Sequence, residues 1–369
     1  MVNPTALRVS ERPTRTRQLC VAGLAVQVTS PAPRALWLEL LQRDPEALPS
    51  QTPLWLDGLC AHKGYRDASR CYRFSDGQQL VLPLVQRQSL GAWSPQASLP
   101  YAWGMGGVVA AQALAAPHLR AVFEDLRTSP ALSTSVLPNP RQGPLWAAAK
   151  PAYVRSLPRR AHVLDLEGGF ERVWRERFSK TTRRMVRKAE RLGVTVTCDT
   201  TGRLAPVVYR LRRAAVARWA ARQHEPRWLA HLRAELRDPQ SKLQHLARVM
   251  GSALRIWVAW RCGEPIAASL VLVGSNADDI LAVMDASKAA ATGANDLLLR
   301  LSIEDACNAG CRYYHLGESG ASVGLARFKE RFGAHAYPYE EFYVERLPLN
   351  QLDRGLRGAV KRVIGFRDV

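Results

Sequence analysis

The run GESGASVGLARFKERFGA, residues 317–334, places a single lysine where a fixed positive charge could act on a reacting group. Lys329 follows a glycine-rich loop and lies in a predicted short helix where Leu325, Phe328 and Phe332 recur at i, i+3 and i+7. That spacing buries one face and turns Lys329 and Arg331 elsewhere, and Gly333 stands where a helix-ending glycine belongs. A cation beside such a loop suits an anionic substrate or an oxyanion developing during reaction. A solvated surface lysine is the alternative. Cys307, Cys311 and His315 are spaced four apart, but Gly310 ends the helix carrying Cys307, so the three share no face and no metal site is expected.

The elements that must position these groups come from a chain of 369 residues, longer than one hydrophobic core comfortably serves, so two domains are expected. Its 47% apolar content supports globular folding. The net charge of +20 points to polyanionic company, such as nucleic acid, a phosphorylated substrate or an acidic membrane surface, or else to an arginine-rich coding bias. Seven scattered cysteines with no C-x-x-C pair argue against a disulfide framework and fit a reducing cytoplasm. The basic start followed by LCVAGLAVQV is read as a tail, residues 1–18, leading into a first strand rather than as a secretion signal. No run is long enough to span a membrane.

In the first half, a strand is expected near Leu24, helices near residues 35–42 and 54–62, and a hairpin CYRF-SDGQ-LVLPLVQRQ turning at Asp76-Gly77. Residues 98–110 form a glycine- and aromatic-rich loop. Six prolines between Thr128 and Pro158 favour extended chain and mark the passage between halves. The second half opens on a helix over 170–193, broken near Ser179, whose residues from Phe170 to Arg191 carry nine basic side chains against three acids, a net +6. Helices near 204–222 and 226–237 follow, and then three antiparallel strands, LRIWVAW, IAASLVLVG and ILAVMDAS, with SNADD read as a turn. A buried-face helix ending at Gly310, the strand CRYYHLG, the Lys329 helix and a last strand EEFYVERL complete an α+β unit.

The order RRMVRKAERLGV, GEPIAASLVL, TGANDLLLRLSIEDACNAGCRYYHLG, GLARFKERFGA resembles the Fem-like branch of the GNAT acyltransferase superfamily, which includes peptidoglycan-bridge aminoacyltransferases and proteins linked to cellulose or envelope polysaccharides. The resemblance covers residues 170–344 well. It implies two tandem GNAT-like domains, each a mixed, mostly antiparallel sheet flanked by helices, here 19–155 and 156–350, with a basic amphipathic tail at 351–369 that either docks on the body or rests on an anionic membrane. It further implies acyl transfer to an amine, with acyl-CoA or aminoacyl-tRNA as the donor substrate and no tightly bound cofactor. GNAT proteins receive the donor pyrophosphate at a helix N-terminus, here Gly293, Ala294 and Asn295, although the glycine-rich signature is incomplete. The Phe328–Lys329 pair matches one that lies near the substrate in Fem-like enzymes. Direct attack needs a base for the amine, and Asp285, Glu318 and Tyr314 are the candidates. Arg183, Arg184, Arg187 and Lys188 would meet phosphates of tRNA or another donor, or only solvent.

Overall fold

The computed structural model describes residues 14–61, 64–100, 103–320 and 322–346. The first half contributes β1 (Arg15–Val21), β2 (Leu24–Ser30), α1 (Arg34–Arg43), α2 (Pro53–Ala61), β3 (Tyr65–Asp67), β4 (Arg70–Phe74), β5 (Gln79–Leu82), β6 (Val85–Arg87), β7 (Gln96–Ala97), β8 (Val109–Ala110), α3 (Ala116–Thr128), β9 (Ser133–Val136) and α4 (Gly143–Ala149). The second contributes β10 (Arg155–Asp165), α5 (Gly169–Arg172), α6 (Lys180–Arg191), β11 (Thr195–Asp199), α7 (Ala205–Arg222), α8 (Arg227–Arg237), α9 (Gln240–Met250) and β12 (Leu254–Arg261). It continues with β13 (Glu264–Val273), β14 (Ala277–Met284), α10 (Ala286–Ala289), α11 (Ala294–Asn308), β15 (Tyr313–Glu318), α12 (Val323–Glu330) and β16 (His335–Glu345).

One sheet has the order β1-β2-β4-β5-β8, and a larger one runs β11-β12-β13-β14-β15-β10-β16-β9-β7-β6-β3, so strands of the first half extend the sheet of the second. The second half's strands alternate to serve two layers. Leu164, Tyr314 and Leu316 pack with α6 and α11, while Ile256, Leu270 and Val283 pack with α7 and α9. At the seam, Asn276 donates to the carbonyls of Pro45 and Ala47. Arg141 there bonds Glu46 and the hydroxyls of Tyr313 and Tyr337.

Four local expectations change. Residues 15–18, expected in the tail, already belong to β1. The proline-rich passage holds a helix, α4, because Pro144 falls in the first turn, where its missing N–H costs no hydrogen bond. The helix α9 was not expected at all. SNADD is not only a turn: β14 begins at Ala277 and takes both aspartates into the strand. The tail at 351–369 lies outside the described residues.

Candidate active site

The strands β14 and β15 run parallel but pair only at Ala277 with Tyr314 and Asp278 with His315, after which they separate. A bulge in β14 accompanies the separation, its register against β13 slipping between Leu270 and Val271 so that Ile280 is the extra residue. The result is a mouth flanked by the end of β15 and by Asp278 and Asp279.

The helix α12 closes one side of this mouth. Ser322 caps it by accepting from the Leu325 N–H, and it ends at Glu330, too short to carry the expected apolar stripe. Leu325 is exposed, Phe328 is half-buried and Phe332 lies beyond the helix, edge-on to Phe178. Lys329 itself is the buried member, 6% exposed, so it is neither turned away from the core nor solvated. Its ammonium donates to the carbonyls of Gly317 (2.9 Å) and Glu318 (2.7 Å), which leaves one of its three donors. Burial pulls its pKa down to about 8, against the pull of Asp279, Glu318 and Asp278. Gly317, at φ +69°, permits the close packing here, since a Cβ would stand 3.3 Å from the Asp279 carbonyl oxygen.

The two aspartates face opposite sides of the strand. Asp279 accepts from the Ser269 hydroxyl at 2.8 Å, and burial pushes its pKa up to about 6. Asp278 shares a face with His315 and is buried, and its Oδ2 has no hydrogen-bond partner. A Cβ on Gly104 of the first half would stand 3.6 Å from that oxygen. Burial, reinforced by Asp279, raises the Asp278 pKa to about 7. His162, on β10, is buried with Nε2 3.5 Å from a Glu330 oxygen, and its pKa is lowered by burial and by Lys329. His315 is fully buried, its pKa held at about 3 by burial and the nearby Arg141 cation.

The candidate bases separate. Asp285 caps α10, accepting from the amide and hydroxyl of Ser287, and its pKa is lowered by those bonds. It stands six residues along the strand from Asp279, roughly 20 Å at strand rise, and does not meet Lys329. Tyr314 points into the core, bonded to Ser302, with its pKa raised well above normal by burial, so it is no base at the mouth. Glu318 is at the mouth, but its carboxylate accepts from the Tyr339 hydroxyl at 2.6 Å and lies 3.6 Å from Arg159, so its side chain orients β10 and β16. Asp278 and Asp279 were missed because a turn was read across them. The available signal was the pair of carboxylates running directly into ILAVM, an unusual start to a buried strand.

The expected pyrophosphate turn is closed. Gly293 adopts φ +78°, and a Cβ there would stand 2.4 Å from the Met185 carbonyl oxygen of α6, so backbone meets backbone. The Ala294 amide donates to the Thr292 hydroxyl, and Asp296 in the first turn of α11 bonds Arg331 at 2.9 Å. Thr292 and Ala294 are buried and Asn295 is half-buried. The helix α6 turns Thr182, Val186 and Ala189 inward, leaving a groove of about 770 Å³ lined by Lys180, Arg183, Arg184, Arg187, Glu190 and Arg191. Arg183 is committed to the fold, its Nη1 donating to the carbonyls of Trp174, Arg175 and Phe178. Arg184 and Arg187 are exposed and Lys188 is half-buried. Among the described residues no cluster suits a metal ion, and no helix is long and apolar enough to cross a membrane.

Residues 176–330 of this chain match the acetyltransferase (GNAT) domain family. The chain as a whole has a Fem-like fold. It is similar to the crystal structure of FemX, at 11% identity and a TM-score of 0.61, over 87% of this chain and 98% of that one. It is also similar to a conserved protein of unknown function from Bacteroides thetaiotaomicron VPI-5482, at 10% identity and a TM-score of 0.52, over 85% and 97% of the two chains. No functionally curated protein matches the sequence.

Proposed function

We propose that the chain forms an amide by direct attack of an acceptor amine on an activated acyl carbonyl at the mouth between β14 and β15. Two units, meeting near residue 155, flank the reaction. The observation that carries the reading is the buried Lys329 ammonium, held by two carbonyls and within the electrostatic reach of two carboxylates of raised pKa, Asp279 and Asp278. As the C–N bond forms, the amine proton passes to Asp279, with Asp278 as the second carboxylate of the pair. The carbonyl oxygen gains charge that the remaining Lys329 donor stabilises; as that charge returns to re-form the carbonyl the bond to the carrier breaks, and the leaving atom takes the proton that Asp279 had accepted. Phe328 lies beside this lysine.

Acyl-CoA is the general donor for such a domain. One observation favours the other donor, aminoacyl-tRNA: the turn 293–295 is filled by α6 and by the chain's own Asp296, while Arg184 and Arg187 line the outer side of α6 with Lys188 half-buried beside them. Phosphates on that face would give salt-sensitive, largely sequence-independent binding. Filter binding with unfractionated tRNA across a salt series, beside calorimetry with coenzyme A, tests the donor. We expect tRNA binding, with Arg184→Gln/Arg187→Gln lowering the salt slope by about 2. Coenzyme A binding without tRNA binding refutes the donor assignment and leaves the Lys329 chemistry intact.

A further inference from the structure

The helix α8 is built the wrong way round for a helix that serves only folding. Its contact with α7 is made by small side chains, Ala230 and Ala234 against Val216 and Ala220. Its large apolar residues point outward instead: Trp228 is 69% exposed, Leu232 49% and Leu236 77%. Spaced at i, i+4 and i+8, they form one stripe along the helix, and Trp219 of α7 is exposed as well. Single exposed apolar residues are ordinary, but an aligned stripe of this size marks an interaction surface.

The charges around the stripe say what it meets. Residues 205–237 carry eight arginines and two glutamates. Both acids are already engaged, Glu225 buried against Arg233 and Glu235 bonded by the Tyr209 hydroxyl. Arg210, Arg213, Arg222 and Arg227 are exposed. A second copy would bring arginines against arginines across a two-fold axis. A plane of negative charge over a shallow apolar layer has the complementary character, with tryptophan and leucine entering and guanidinium groups at headgroup level. The platform is firmly held. Asp238, just after α8, accepts from Trp103 Nε1 and from Arg212, each at 2.6 Å. Arg218 of α7 donates to the Met284 carbonyl at the end of β14.

We propose that the α7–α8 pair is a membrane-docking surface that seats the protein on anionic lipid through Trp228, Leu232 and Leu236. Co-sedimentation of the full-length protein with phosphatidylglycerol/phosphatidylcholine vesicles, and with phosphatidylcholine alone, tests it. Binding is expected to the anionic vesicles, to weaken with salt, and to be slight on neutral ones. The variant Trp228→Glu/Leu236→Glu, altered only at exposed positions, is expected to lose at least about tenfold in vesicle affinity with its thermal unfolding unchanged. Failure of the wild type to bind anionic vesicles overturns the proposal, as does a double variant that binds equally well. So does a dimer in light scattering that the same variant dissolves, since the stripe would then belong to a second copy.

Discussion

Replacing Lys329 with methionine separates a catalytic cation from a structural one. Moving the ammonium from its ordinary pKa of 10.5 to about 8 corresponds to roughly 3 kcal/mol that the charged form costs the fold. The folded-state value is the lower one, so the cost is carried in full below pH 8 and disappears as pH rises from about 8 to 10.5. Methionine removes that cost but leaves the carbonyls of Gly317 and Glu318 without their donor, at about 1–3 kcal/mol each. The two effects nearly cancel, and we expect stability at pH 7 to change by less than about 2 kcal/mol in urea unfolding. Activity behaves differently. Losing a donor aimed at the developing oxyanion lowers kcat for transfer to a primary amine by about 10²–10³. The wild-type profile of kcat/KM should be bell-shaped, rising as Asp279 deprotonates near pH 6 and falling as Lys329 deprotonates near pH 8. In Lys329→Met the alkaline fall disappears, and the acid limb moves upward because Lys329 no longer holds the two aspartate pKa values down. Unchanged kcat, or a profile that keeps its alkaline limb, refutes the assignment.

Two other substitutions probe the neighbours. The Asp278 pKa is raised from 3.8 to about 7, so its ionised form burdens the fold above pH 7 and the burden fades as pH falls towards 3.8. Asp278→Asn is accordingly expected to raise stability at pH 8 by as much as about 3 kcal/mol, with the gain shrinking at pH 4.5 in paired urea titrations. Asp285→Ala removes the α10 cap and should cost about 0.5–2 kcal/mol while leaving kcat/KM unchanged. A large loss of activity there would return Asp285 to the site.

Much of the frame was legible because it rests on local chemistry. Gly310 ends α11 in the left-handed conformation, Ser179 breaks and caps the basic helix, and the nearly continuous apolar runs of β12 and β13 report burial on both faces. The features that were not legible depend on partners distant in sequence. Helical periodicity places Lys329 off the apolar face, yet the end of β15 lies over it and supplies two carbonyls. Asp278 and Asp279 read as turn residues until β13 pairs with both and β15 with Asp278. Arg183 looked like its neighbours Arg184 and Arg187, and only the fold of the preceding turn, whose three carbonyls it collects, sets it apart.

The order of strands in the larger sheet explains where the mouth opens. The strand β10 lies between β15 and β16, and β16 in turn pairs with β9 of the first half, so the register of β15 is fixed on the side away from β14. With β10 paired to β15 from Ala161 to Asp165, the β15 chain beyond His315 cannot follow β14, and the mouth opens beside Asp279. Pro158 in β10 shows the same economy. It faces β16 at Glu340 but lies beyond the stretch paired with β15, where a missing N–H costs no ladder bond. The separation beside Asp279 is thus a consequence of pairing among the second half's own strands, which the first half only extends through β9.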